Sequence, residues 1–121
     1  MVDASLGERE LDVMAVLWEI GSGTVAEVRE RLDAELANTT VLTIMRNLEA
    51  KRFVRREDEG RAHRYYPRVQ QKTARRNALS RVMAELFDSS PQVLLAHLVE
   101  QHHVTAEELQ KLAKMIRERE T

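Results

Sequence analysis

Thr39, Thr43 and Arg46 recur every three or four residues in the stretch "NTTVLTIMRNLEAKRFVRREDEGRAHRYYP", from Asn38 to Pro67. At helical spacing they share one face. Two short hydroxyls and one guanidinium on a face with little bulk can press against a flat, polar, anionic partner. Asn38, Thr39 and Thr40 stand at the expected start of that helix, where free amides and hydroxyls suit phosphate oxygens. Thr43 can offer a hydroxyl or a methyl to a base edge, and Arg46 can fork onto guanine or hold a phosphate. Leu42, on the flank, can touch a thymine methyl or simply pack. Beyond the helix, Arg55, Arg56 and Arg64 suit neutralisation of a phosphate backbone, and Arg61 falls at the expected hairpin tip, where a wing would reach it.

Charge is segregated along the chain. The 121 residues carry a net charge of −1. Residues 1–45 hold 3 basic and 9 acidic side chains, residues 46–81 hold 12 and 4, and residues 82–121 hold 4 and 7. A strongly positive middle between two negative flanks is the footprint expected of a polyanion binder. There is no cysteine, which excludes disulfides, thiolate metal sites and a cysteine nucleophile. No apolar run approaches the roughly 20 residues of a membrane span, and "MVDASLGERE" is too polar for a signal peptide. A soluble cytoplasmic protein with no membrane insertion is expected.

The elements that must position these residues follow from periodicity. Leu11, Met14, Leu17 and Trp18 predict a first helix over about 7–20, ended by Gly21-Ser22-Gly23. "TVAE" offers a capping box, Thr24 to Glu27, and Val25, Val28, Leu32 and Leu36 extend a second helix to about residue 36. The third is expected to begin with Asn38 as its N-cap. Ile44, Met45 and Leu48 fall within about 60° of Val41 around it, so these four face the core and Thr39, Thr43, Arg46 and Ala50 face away. "FVRRE" and "AHRYYP" alternate as strands around "DEGR", with Phe53 and Tyr65 closing the core. The fold class is mainly α with a small β-hairpin: a winged helix-turn-helix over residues 1–69, with Ala37-Asn38 as its tight turn.

Residues 70–121 predict three more helices. Leu79, Val82, Met83, Leu86 and Phe87 form one stripe. Ser90-Pro91 starts a helix carrying Leu95 and Leu98, apolar on most sides. Thr105 to Glu108 is a second capping box, opening a helix with Leu109, Leu112 and Ile116 on one face. This much apolar surface needs a partner, either the chain's own winged domain or the same helices of a second copy; the region is expected to form a homodimer.

These segments resemble a known family. "LGERELDVMAVLWEIGSGTVAEV", the stretch from Asn38 to Pro67 and "LVEQHHVTAEELQKL" are similar to the penicillinase-repressor family of bacterial transcriptional regulators (BlaI/MecI type), from about Leu6 to Arg117. The resemblance implies a homodimeric repressor of double-stranded DNA on inverted-repeat operators, commonly with TACA/TGTA half-sites. In several systems of that family a membrane sensor peptidase signals antibiotic presence and the repressor is cut in its dimerisation region. The aligned position here is His97-Leu98, where well-studied members have Asn and Phe. Asn47 stands where the family often has arginine, and Arg52 where it often has glycine. The cysteines of related copper-responsive members are missing.

Two other classes fit parts of the sequence. His97, Glu100, His102 and His103 suggest a His-based metal-responsive regulator, but their spacing does not converge three or four ligands. No metal or other cofactor is expected. A winged helix can also serve as a protein-interaction module. No nucleophile–base pair or phosphate-cradling loop is present, so an enzyme is not expected.

Overall fold

The computed structural model describes residues 6–120. Residues 1–5, in the expected first domain, lie outside the described residues. The order is α1 (Glu8–Ile20), β1 (Gly23–Thr24), α2 (Val25–Arg31), α3 (Asn38–Ala50), β2 (Val54–Glu59), β3 (Ala62–Pro67), α4 (Gln71–Leu86), α5 (Pro91–Glu100) and α6 (Ala106–Glu120). Two compact units divide at Arg76 and Asn77, within α4.

In the first unit, α1–α3 pack on a three-stranded antiparallel sheet of order β1-β3-β2. The core contains Val13, Met14, Leu17, Val28, Val41, Met45, Leu48 and Tyr65, each almost fully buried, with Phe53 and Val54 beside them. The apolar face expected for α3 is therefore the buried one. On α1 the stripe is rotated: Val13 and Val16 turn inward, and Leu11 is 48% exposed.

Helix α2 stops at Arg31, five residues short of expectation. Leu32 turns extended, and a loop over residues 32–37 leads to α3. Leu32 and Leu36 still pack against the core, so their four-residue spacing matched a helix without requiring one. The turn of the motif is thus six residues long and not the Ala37-Asn38 pair. Asn38 is the first helical residue, and Ala37 is the N-cap, with no side-chain cap. The Asn38 side-chain oxygen, Oδ1, instead accepts from Arg29 Nη1 at 3.4 Å.

The Thr24–Glu27 capping box forms as read: the Glu27 amide donates to Thr24 Oγ1 at 3.2 Å, and the Thr24 amide to Glu27 Oε2 at 3.2 Å. Just ahead of it, Gly23 pairs with Tyr65 and is buried. A Cβ there would sit 3.1 Å from both Ile20 Cδ1 and Val28 Cγ2, so strand β1 is a close backbone approach that residue types alone did not announce.

Helix α3 ends with Arg52 at φ +65°. The Phe53 amide donates to the Leu48 carbonyl at 2.9 Å and the Arg52 amide to Glu49 at 3.0 Å. This is a Schellman closure, in which the left-handed residue is usually glycine. Beyond the hairpin, the Arg68 amide donates to Phe53 O and Trp18 Nε1 donates to Val69 O, both at 2.8 Å. These two bonds hold the segment between β3 and α4 against the hairpin and α1.

The second unit is helical. Ser90 caps α5 with Pro91 at its first turn, and Thr105 and Glu108 exchange the two bonds of a capping box at 3.0 and 3.1 Å. Phe87 and His97 meet edge to face with ring centroids 5.8 Å apart. No residue of α4, α5 or α6 is buried.

Candidate nucleic-acid interface

The outward face of α3 is open. Asn38, Thr39, Thr40, Thr43, Arg46, Asn47 and Ala50 are exposed, and Leu42 is half-buried. Arg46 has no ion pair among the described residues, so its fork is free. Thr43 Oγ1 donates to the Thr39 carbonyl at 3.0 Å. Its proton is therefore committed, and it presents a methyl group and acceptor lone pairs.

The start of α3 is braced from behind. Arg29 Nε, near the end of α2, donates to the Leu36 carbonyl at 2.6 Å and so ties down the loop that delivers the helix. At the other end, Lys51 Nζ meets Glu10 Oε1 at 2.7 Å and links α3 to α1. Partial burial pushes the Glu10 carboxyl up. The hydrogen bond from Lys51, the Gly7 amide and the Lys51 charge together outweigh this and hold it below the usual carboxylate range.

The hairpin turns at Gly60-Arg61, with Gly60 at φ +61° and Arg61 exposed at the tip. The other wing cations are not free. Arg55 Nη1 pairs with Glu57 at 2.6 Å, and its guanidinium lies 4.3 Å from the Tyr66 ring centroid. Arg56 pairs with Glu49 of α3 at 3.4 Å. Arg64 is drawn inward between Glu27 and Glu59. By contrast, Arg68, Lys72, Arg75 and Arg76 make no ion pair among the described residues. From Gly60 to Ala84 the sequence has no Asp or Glu at all. That gap is the sequence signal that the unbalanced charge extends past the wing, beyond the cations expected to contact DNA.

A shallow hollow of about 370 Å³ lies where the first turns of α2 and α3 approach β3, lined by Thr24, Val25, Asn38, Thr39, Leu42 and His63 among others. The first turn of α2 thus borders the same surface, although no α2 residue was expected there. His63 Nδ1 lies 2.8 Å from Asp58 on the facing strand.

The residues expected at a dimer interface lie on the second unit and on α4. Leu79, Leu86, Leu95, Leu112 and Ile116 are exposed, with Leu86 at 73%, and Val82, Met83, Phe87, Leu98 and Leu109 are half-exposed. Leu98 follows His97 inside α5. His102, at φ +59°, and His103 form the Schellman closure of α5, donating to Val99 and Leu98 carbonyls at 3.1 and 3.0 Å. No group of three His, Cys, Asp or Glu side chains is placed to hold a metal ion among the described residues. No helix among them is long and apolar enough to cross a membrane.

The chain is similar to known regulators. The Transcriptional regulator BlaI of Mycobacterium tuberculosis is 36% identical over 119 residues, which is 95% of this chain and 85% of that protein. The structure titled "CopR Repressor Structure" is 31% identical, covering 55% of this chain and 99% of that one, with a TM-score of 0.47. The oxidized form of MarR from E. coli superposes with a TM-score of 0.53 at 13% identity, over 97% of this chain and 77% of that one; this likeness concerns the fold alone. The Penicillinase repressor model matches residues 6–118. A DNA-binding, winged-helix transcriptional regulator and not an enzyme, the chain belongs to the penicillinase repressor family.

Proposed function

We propose that the protein is a cytoplasmic homodimeric repressor that places α3 of each protomer in a major groove of an inverted-repeat operator. The observation that carries this is the open face of α3: unpaired Arg46 beside Thr43 and Thr39, on a helix whose opposite face is buried. Thr43, Arg46 and Leu42 choose bases, Asn38, Thr39 and Thr40 hold phosphates at the helix start, and Arg61 reaches the backbone or minor groove from the wing tip. Arg55, stacked on Tyr66 and paired with Glu57, serves as a weaker backbone contact. Half-sites lie about one helical turn, roughly 10 bp, or a small multiple apart.

Residues 70–121 form the dimerisation region. Leu79, Val82, Met83, Leu86, Phe87, Leu95, Leu98, Leu109, Leu112 and Ile116 would be covered by the same helices of a second chain. Relief of repression through a sensor peptidase pathway would cut at His97-Leu98. Both residues lie in a regular helix, so cleavage there requires α5 to unwind first.

Binding-site selection on random duplexes, followed by titration of Arg46→Ala on the recovered operator, tests this. A base-reading Arg46 costs about 1–3 kcal/mol when removed and relaxes choice at one position. Equal affinity of variant and wild type for every duplex would remove Arg46 from the interface.

A further inference from the structure

Arg64 of β3 lies opposite Thr24 in β1 and Glu57 in β2. Its side chain is 23% exposed, against 50% for Arg55. Every nitrogen of its fork has a partner. Nε donates to Glu59 Oε2 at 2.6 Å, Nη2 lies 3.1 and 2.9 Å from the two Glu27 oxygens, and Nη1 donates to Ser22 Oγ at 3.3 Å. Glu59 ends the wing's outer strand, Glu27 belongs to the capping box of α2, and Ser22 lies in the turn after α1. One guanidinium therefore ties the wing to the helix-turn-helix at two points.

Charge counting gives the same result. Two carboxylates face one cation, so the cluster is net negative beside a surface meant for a polyanion. Turning Arg64 outward to a phosphate would leave Glu27 and Glu59 uncompensated next to that phosphate. The pairing favours the charged forms on both sides: hydrogen bonds to Glu59 and then Glu27 push the Arg64 guanidinium up, and the hydrogen bond from Arg64 is the leading cause that holds the Glu27 carboxyl below its usual range.

We infer that Arg64 is a positioning residue which fixes the wing relative to the recognition helix, and that it does not contact DNA. The inference rests on the DNA-binding reading above. The two roles give opposite signs for Glu27→Gln. Glutamine at that position still completes the capping box, so the substitution removes the link to Arg64 with little harm to α2. If Arg64 is a clamp, Glu27→Gln and Arg64→Gln each weaken operator binding about fivefold, and the double variant is no worse than either single one. The slope of log affinity against log salt stays at the wild-type value. Arg64→Lys does not rescue, because an ammonium cannot span both carboxylates and Ser22. If Arg64 holds a phosphate, the slope in Arg64→Gln falls by about 0.9, Arg64→Lys restores binding, and Glu27→Gln tightens it.

The experiment is a salt titration of these variants on the duplex recovered by site selection, with backbone amide exchange of residues 54–67 in the DNA-free protein. Faster exchange in both Glu27→Gln and Arg64→Gln, with an unchanged salt slope, is the expected result. Unchanged exchange, or unchanged or tighter binding by Glu27→Gln, overturns the clamp. Should the wild-type protein bind no duplex, the DNA reading fails alone, and amide exchange still decides whether Arg64 holds the wing.

Discussion

Arg52 bears a backbone cost that its side chain does not offset. At φ +65° it occupies the left-handed corner of the α3 closure, which disfavours residues with a Cβ by about 1 kcal/mol. Its charge makes no ion pair among the described residues. Arg52→Gly should therefore raise stability by about 0.5–1 kcal/mol, read as a higher midpoint in urea at constant slope. Gly23 is the reverse case. An added methyl group would press on Ile20 Cδ1 and Val28 Cγ2, both 3.1 Å away, so these side chains must shift slightly, and Gly23→Ala should cost about 1 kcal/mol by overpacking, seen as a lower midpoint in the same titration. The sequence made the inward and outward sides of α3 legible because they depend only on 100° spacing. The partners of Arg55, Arg56 and Arg64 were not legible. Arg56 meets Glu49 of α3 and Arg64 meets Glu27 of α2 and Glu59 of the facing strand, approaches set by packing and register, and Arg55 meets Glu57 two residues along its own strand, so these cations are engaged.

At the scale of elements, α1 and α3 are joined by the half-buried Glu10–Lys51 pair. The Glu10 pKa is lower folded than unfolded, so the pair's contribution is fully present above the unfolded glutamate value near about 4.3. It is lost as pH falls through the lower folded value. Glu10→Gln should cost about 1 kcal/mol at neutral pH. Thermal unfolding of the two proteins between neutral and acid pH should show that difference shrinking as pH drops. A gap constant across the range would mean that the carboxylate charge contributes nothing. Elements with local signals were readable: both capping boxes, the Ser90-Pro91 start and the Gly60 turn each rest on residues within four positions. The premature end of α2 and the two-residue strand β1 were not. The first depends on the loop reaching the core in extended form, and the second on Gly23 meeting Tyr65, 42 positions away.

For the whole molecule, the contrast between the units carries the assembly prediction. The winged unit buries twelve hydrophobic side chains, and no residue of α4, α5 or α6 is buried. Leu86 is 73% exposed, so Leu86→Asp removes little packing within its own chain. Sedimentation should find the wild type dimeric and Leu86→Asp shifted to monomer, with a midpoint of thermal unfolding that depends on concentration only in the wild type. Operator affinity should fall along with the dimer. Monomers that bind a full operator as tightly as wild type would contradict the two-fold arrangement.

The carboxylate-free run from Gly60 to Ala84 bears on speed more than on fit. Arg68, Lys72, Arg75 and Arg76 make no ion pair among the described residues and lie on the segment after the wing, which Trp18 holds through the Val69 carbonyl. Fields from such groups reach about 8 Å at physiological ionic strength and draw an oppositely charged rod inward before any groove is entered. Neutralising these four should slow capture of DNA while leaving the lifetime of the captured complex nearly untouched, a split that stopped-flow mixing against dissociation by competitor would resolve.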